Sequence, residues 1–492
     1  MPSLRPSSAS TGRLRRMVTA PQRHPQLWLA LICLIALAAY LVTSIVKFNR
    51  LRDGMDITIF DQAIRSFAQG HAGYTTLKAP GMPIFGDHFH PIILTMVPLY
   101  WLWDDPRMLL ITQGICIAWA GWLLGRLAIR RLGPGTGLLI AAGFLCGIGT
   151  QYAIIFDFHE LVLATPLMAM ALASFIEARW TACWVWSASL MVAKEDMCFL
   201  VGGIALAMLV RRHWVRGLSL GIFAVAWTAI AVFVVVPAFN PDHVYPYLHA
   251  VGAVAVAGVQ TSAHGAWFGP LKTLGSAAIL LSGTAFVALR SPLIWAFVAP
   301  FLTRAVSKNP QHWTTGFHYN LLPMLVACYA FVEAWPRLVD AAGRTLPGRR
   351  GTLRRWWRAV ALPMVGIVAL ASIPLGPLWH EWTIGRCRDE CRVFPAALAQ
   401  LPAGSRVATD VYLTSHVAAH ADVSQWRPPD YLDDRGQPVT PDWLLLDRET
   451  ISYQNKDSHW VDQFLADPVV RGTRYEVVWQ RDPMVIMRPA HS

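Results

Sequence analysis

The chain has 492 residues, of which 54% are hydrophobic and only 15% charged, with a formal net charge of +12. Apolar runs of roughly 20 residues recur along most of its length, which describes a polytopic membrane protein and excludes a soluble multidomain one. The basic residues sit in short loops between apolar runs, a pattern that sets membrane orientation and does not imply a nucleic-acid partner.

Residues 1–26 carry Arg5, Arg13, Arg15, Arg16 and Arg23 among Ser, Pro and Thr and read as a disordered cytoplasmic tail. The apolar run 26–46 is too long for a signal-peptide core and lacks a convincing cleavage site, so it is expected to remain as an anchor. It delivers residues 47–91 to the outer side of a plasma membrane. There the period of 57–68 predicts an amphipathic helix lying at the interface. Residues 92–103 are too few to cross, and Tyr100, Trp101 and Trp103 suit a second interfacial helix at headgroup depth. Spans are then expected over 108–128, 135–155 and 161–177. The stretch 180–210 carries Lys194, Glu195 and Asp196 midway. One long helix would bury these charges in mid-membrane, so two short helices meeting at them are expected. Further spans at 214–239, 271–289 and 292–306, one ending before the basic loop 337–358, and one at 357–378 bring the total to about eleven, within a transmembrane domain of 27–379. With that count the arginine-rich loops share one side, and the acid and histidine clusters share the other.

Residues 380–492 change character. SRVATDVYL, PDWLLLDRE and TRYEVVWQRDPMVIMRP read as strands, the last folding into a hairpin about Asp482-Pro483, with HVAAHAD and SHWVDQFLADP as short helices. Together they predict a small extracytoplasmic α/β domain. Cys33, Cys116, Cys146, Cys183, Cys198 and Cys328 lie in apolar spans and read as packing residues. Cys387 and Cys391 lie in the exported part and are disulfide candidates, two unpaired thiols being the alternative.

Several clusters carry chemistry. Asp56 opens the first interfacial helix and Asp61 follows, while Asp87, His88 and His90 return to the same surface. Asp56 at a helix start has a plain alternative as an N-cap. A carboxylate held near a membrane can act as general base, and imidazoles or a cation can neutralise a phosphate leaving group. Asp157, His159 and Glu160 in FDFHE, Lys194, Glu195 and Asp196 in KED, and His318, Tyr319 and Asn320 in FHYN are candidates for substrate binding. Against these stand a hydrated loop for FDFHE, an internal ion pair for KED and an interfacial anchor for Tyr319. Asp/His patches also bind divalent metals, with Asp56, Asp157 and His159 as candidate ligands. His243, His249 and His264 read as solvated loop residues. No Walker, GxGxxG or zinc-type motif occurs, so nothing supports an ATP-driven pump or a nucleotide enzyme.

The ordered segments IFDQAIRSFAQG, GDHFHPIILTMVPLYWLW, FDFHELVLATPLMA, VAKEDMCFLV and FHYNLLPML resemble the DUF2079 group of predicted membrane proteins, which looks related to the GT-C glycosyltransferases. The resemblance implies a GT-C-like membrane domain that takes a sugar from a polyprenyl-phosphate donor in the membrane and passes it to a glycan, lipid or protein acceptor outside. It places Asp56 where such enzymes carry an acid at the start of the first interfacial helix, with Asp61 as an auxiliary carboxylate. His90-Pro91 resembles the basic-residue-plus-proline element that approaches the lipid phosphate. The paired acids usual there are replaced by Asp56-Ile57, which leaves the base open between Asp56 and Asp61. A lipid or solute transporter and a non-catalytic cell-envelope assembly protein are the competing functions. No inverted repeat of the transporter kind is visible.

Overall fold

A computed structural model describes residues 23–79, 81–247, 267–307, 309–340, 349–380, 389–426, 438, 440–449 and 460–490, with the side chains of 340 and 349–358 excepted. The first 22 residues, His249, His264, Arg344, Cys387 and the side chains of Arg349, Arg350, Arg354, Arg355 and Arg358 lie outside that description. Among the described residues six helices are long and apolar enough to cross a membrane: Pro25–Asn49, Arg107–Leu132, Pro134–Phe156, Trp214–Phe239, Pro310–Val339 and Ala359–Trp379. The remaining apolar segments expected as spans form shorter helices.

Helix α1 (Pro25–Asn49) carries Lys47 in its last turn, and the chain then turns through Leu51, which takes a left-handed φ of 54°. Helix α2 (Met55–Ala68) follows the amphipathic period and buries Ile57, Phe60, Ala63 and Ile64. A 3-10 turn at Pro91–Met96 leads into α3 (Val97–Leu102), where Tyr100 is buried and Trp101 and Leu102 are exposed, as an interfacial helix requires. Helix α4 (Arg107–Leu132) packs against α1 so closely that a Cβ on Gly125 would come 2.3 Å from Leu29. The N-terminal end of α1 therefore lies beside the arginine-bearing end of α4.

The span expected over 135–155 is two helices, α5 (Pro134–Leu145) and α6 (Ile148–Phe156). Side chains satisfy the carbonyls that the break releases: Gln151 donates to Cys146 O (2.6 Å) and Ser372 O (2.5 Å), and Thr150 to Phe144 O (2.7 Å). Helix α7 (Thr165–Ile176) follows. The chain then breaks where the charges demanded it, with extended Lys194 between α8 (Trp180–Ser189) and α9 (Cys198–Val210). Helix α10 (Trp214–Ile230) continues through a π turn to Phe239. Helix α11 (Phe268–Ser282) stops short of the expected 289, because Ala285 and Phe286 take left-handed φ values of 47° and 58°. Then come α12 (Ile294–Ala305), α13 (Leu321–Asp340) and α14 (Arg349–Leu375).

The C-terminal region contains α15 (Asp389–Leu398), β1 (Arg406–Thr409), α16 (Thr414–Val417), β2 (Asp422–Gln425), β3 (Trp443–Asp447), α17 (Trp460–Ala466), β4 (Val469–Val470), β5 (Thr473–Arg481) and β6 (Met484–Pro489). These strands form a six-stranded sheet in the order β2-β1-β3-β6-β5-β4. β1 is parallel to β2 and β3, and β5 and β6 make the expected hairpin, with Arg481 opposite Met484. HVAAHAD is not one helix: α16 covers only His416 and Val417 of it, the next four residues turn, and Asp422 opens the edge strand β2. Four residues are too short to display a period of two. Cys391 is disulfide-bonded.

The sheet domain docks on α2 and the end of α1. Thr58 and Thr414 share a buried hydroxyl hydrogen bond of 2.8 Å, Thr76 Oγ1 donates to Val423 O (2.6 Å), and the ring of His416 lies 4.1 Å from that of Phe48.

Candidate active site

The entry to α2 is held by a buried ion triad. Lys47 Nζ donates to Asp53 Oδ1 (2.7 Å), Phe156 O (2.5 Å) and Asp157 Oδ1 (2.9 Å), and the same Asp157 oxygen accepts from Gly54 N at 3.0 Å. A Cβ on Gly54 would stand 2.7 Å from Asp157 Oδ2, so glycine is what lets the backbone come this near. Gly54 is the N-cap of α2 and no side chain caps the helix, so the capping role open to Asp56 falls away. The Asp56 carboxylate is half-buried and makes no hydrogen bond or ion pair among the described residues. Burial raises its pKa, His159 and Lys78 oppose the rise, and Asp157 and Glu160 reinforce it.

Asp61 is differently placed. Its two oxygens accept from Arg65 Nη1 (2.7 Å) and Nη2 (2.9 Å), and Tyr100 Oη donates to one of them at 2.8 Å. Burial pushes its pKa up to about 6 against the pull of Arg65. Arg65 also reaches Asp104 Oδ1 at 2.7 Å, which ties α2 to the chain beyond α3.

The loop before α3 brings a second network. Asp87 binds Lys78 Nζ at 3.0 Å and accepts from Tyr247 Oη at 2.8 Å; burial opposes ionisation, but Lys78 and His88 hold the carboxyl well below the usual range. His88 Nδ1 lies 2.6 Å from Glu195 Oε1, and its ring stacks on Tyr247 at 4.4 Å. Glu195 also accepts from Phe89 N (3.0 Å) and Tyr245 Oη (2.8 Å). Burial works against the charge of Glu195, yet His88 and Lys194 bring its pKa down to about 2. His90 is 2% exposed, packs near the rings of Phe60 and Phe85, and has no partner for either ring nitrogen. Burial lowers its pKa to about 4, so at neutral pH it is uncharged and cannot serve as the cation expected beside a phosphate.

FDFHE divides its work. Asp157 belongs to the Lys47 triad. His159 Nδ1 lies 2.5 Å from Glu160 Oε2, outside a hydrogen-bonding direction, and its ring stacks at 3.7 Å on His318, a buried imidazole with both nitrogens unpartnered. Lys194 Nζ stands 3.4 Å from Glu160 Oε1, an ion pair looser than a hydrogen bond, and Asp196 is exposed. Tyr319 is half-buried against His318 and His312 and within electrostatic range of Lys194 and Asp56. Asn320 is committed elsewhere: it accepts from Arg304 (3.0 Å) and donates to Thr314 O (3.1 Å) and Thr315 O (3.0 Å), closing the loop before α13. Among the described residues no group of three or more His, Cys, Asp or Glu is arranged to hold a metal. Of the candidate ligands, Asp157 faces an ammonium where a metal would have to sit, so the expected set does not form.

The residues that remain form a cluster by electrostatic range: Asp56 with His159, and Tyr319 with Asp56, Lys194 and Asp196. The model of the family described as "Predicted membrane protein (DUF2079)" matches residues 47–486, a range that contains all of them. The chain belongs to the DUF2079 family. The fold of this DUF2079 protein is similar to that of ArnT from Cupriavidus metallidurans in two crystal structures. With ArnT bound to undecaprenyl phosphate the TM-score is 0.57 at 16% identity, covering 94% of this chain and 98% of that one. With ArnT in the apo state the TM-score is 0.55 at 17% identity, covering 94% and 97%. No curated protein sequence matches.

Several residues of this DUF2079 site escape sequence reasoning. Lys47 reads as a lone cation at a span end, and nothing near it announces that its partner Asp157 lies 110 positions away. Arg65 stands at i+4 from Asp61, a spacing that signals an ion pair on any helix. Tyr245 and Tyr247 come from a loop notable for Pro, His and Tyr, but only the fold carries them onto Glu195 and Asp87.

Proposed function

We propose that this DUF2079 protein is a GT-C-like membrane glycosyltransferase that moves a sugar from a polyprenyl-phosphate donor to an acceptor hydroxyl on the acid-and-histidine face. The N-terminal tail is then cytoplasmic and the sheet domain lies outside. The observation that carries the reading is Asp56: a half-buried carboxylate without a partner among the described residues, its pKa raised by burial, in the first turn of an interfacial helix. The likeness to a structure of ArnT bound to undecaprenyl phosphate supports a polyprenyl-phosphate partner here.

In this reading Asp56 is the general base, because Asp61 has both oxygens taken by Arg65 and Tyr100. Asp56 takes the proton of the acceptor hydroxyl, whose oxygen attacks the anomeric carbon of the donor. The bond from that carbon to the phosphate oxygen breaks, and polyprenyl phosphate leaves with the electron pair. Lys194, only 3.4 Å from Glu160 and loosely held, meets the developing phosphate charge. Asp196 and Tyr319 are assigned to hydroxyls of the sugar. His88 and Asp87 act from behind, by setting Glu195 and Lys78.

The test is release of polyprenyl phosphate from a panel of polyprenyl-phosphate sugars by the protein in lipid nanodiscs, with membrane extract as acceptor source. Asp56→Asn is expected to slow release by about a hundredfold or more. Release that Asp56→Asn leaves intact, or no release with any donor, overturns the assignment.

A further inference from the structure

We infer that the arginine-bearing face holds a second site, for the phosphate of an anionic phospholipid headgroup. A cavity of about 450 Å³ opens there between the ends of α4 and α7, lined by Leu127, Arg130, Arg131, Ile176, Glu177 and Ala178. Ala178 takes a left-handed φ of 56°, and Arg179 N returns to Ser174 O at 2.8 Å, so the chain folds back at the helix end and brings Arg179 to the same carboxylate as Arg130. Arg130 Nη2 donates to Glu177 Oε1 (2.6 Å), Arg179 Nη2 lies 2.8 Å from Oε2, and Arg131 donates to Ile176 O.

Two guanidiniums therefore hold one carboxylate, and a third, that of Arg131, lines the same cavity on the Ile176 carbonyl. The side chains of Arg130 and Arg179 are 51% and 59% exposed, and each guanidinium carries five N–H donors, so most of their donors remain for a ligand. Glu177 occupies part of the place a phosphate would take. Tyr329 of α13 is fully buried within electrostatic range of Glu177 and Arg130, and its hydroxyl has no hydrogen-bond partner among the described residues. The buried Ser174 hydroxyl, one turn before the cavity, likewise has none among the described residues.

The position selects the ligand. Both apolar segments, Arg107–Leu132 and Glu160–Ile176, end at this cavity, which in a membrane-spanning protein is where lipid phosphates lie, and basic pockets between spans at that depth bind anionic headgroups. On α4, exposed Trp119 stands on the face that carries Arg126 and Arg130, which gives an acyl chain an apolar track leading to the cations. A free phosphate has the same charge chemistry but no use for that track.

The experiment is native mass spectrometry of the full chain titrated with phosphatidylglycerol or phosphatidylcholine, with inorganic phosphate as competitor. Phosphatidylglycerol is expected to bind and phosphatidylcholine not. Arg130→Gln with Arg179→Gln should weaken the phosphatidylglycerol affinity by about tenfold or more, while Glu177→Gln, which removes the competing anion, should tighten it. These opposite signs separate a site from misfolding, since a damaged fold weakens both. Equal retention of the two lipids, indifference to all three substitutions, or displacement by inorganic phosphate at the lipid's own concentration overturns the inference.

Discussion

Lys47 has three acceptors around its ammonium, and two of them are carboxylates inside the protein. Lys47→Met would leave Asp53 and Asp157 buried without a cation, a change that costs about 3–5 kcal/mol and should appear as a large fall in the unfolding temperature of the purified protein. His90 gives a prediction in pH. Its folded pKa of about 4 lies below the ordinary imidazole value of 6.5, so between these values the unfolded chain takes up a proton that the folded chain refuses. The stability contributed here is complete above about pH 6.5 and is lost as the pH falls towards 4. Asp61, raised to about 6, has the opposite sign and offsets part of that loss. Comparing denaturant unfolding of wild type and His90→Phe across pH 4–7 isolates the histidine: the variant's curve should fall less on acidification, and parallel curves would count against a buried neutral imidazole. Asp56 was legible as a site residue because an acid beside an apolar segment needs a reason. Choosing between Asp56 and Asp61 was not, because Tyr100 reaches Asp61 from 39 positions away.

Helix α2 carries both acids, and the sheet domain grips it from outside. Thr414→Val would leave the Thr58 hydroxyl buried without its partner, a loss of about 1–3 kcal/mol. Amide exchange across Met55–Ala68 should rise in that variant while α4 and α13 stay protected; unchanged exchange would mean the grip does not order the helix. Elements whose cause is local could be read in advance. Helices α2 and α3 follow from apolar period and aromatic placement, and the break at Lys194 from the cost of burying three charges in one apolar helix. Elements whose cause is distant could not. The break between α5 and α6 depends on Gln151 meeting Ser372, and β2 depends on pairing with β1 and on Thr76.

At the scale of the molecule the charges sort onto two faces. Arg130 with Glu177 and Arg211 with Glu333 close one, and the Asp56 cluster with the sheet domain forms the other. Single cysteines at Arg216 and Gln480, in a background with native thiols blocked, should therefore label from opposite sides of sealed vesicles: Gln480→Cys with an impermeant maleimide from outside, Arg216→Cys only after permeabilisation. Labelling of both from one side would break the arrangement. The grip on α2 also has a consequence in time. Thr58 and Thr414 are 356 positions apart, and at roughly 5–20 residues per second a ribosome needs on the order of half a minute to travel between them. Throughout that interval α2 is without its hydrogen bond to Thr414. A chain that stops before Thr414 therefore never gains the hydrogen bond that holds Thr58.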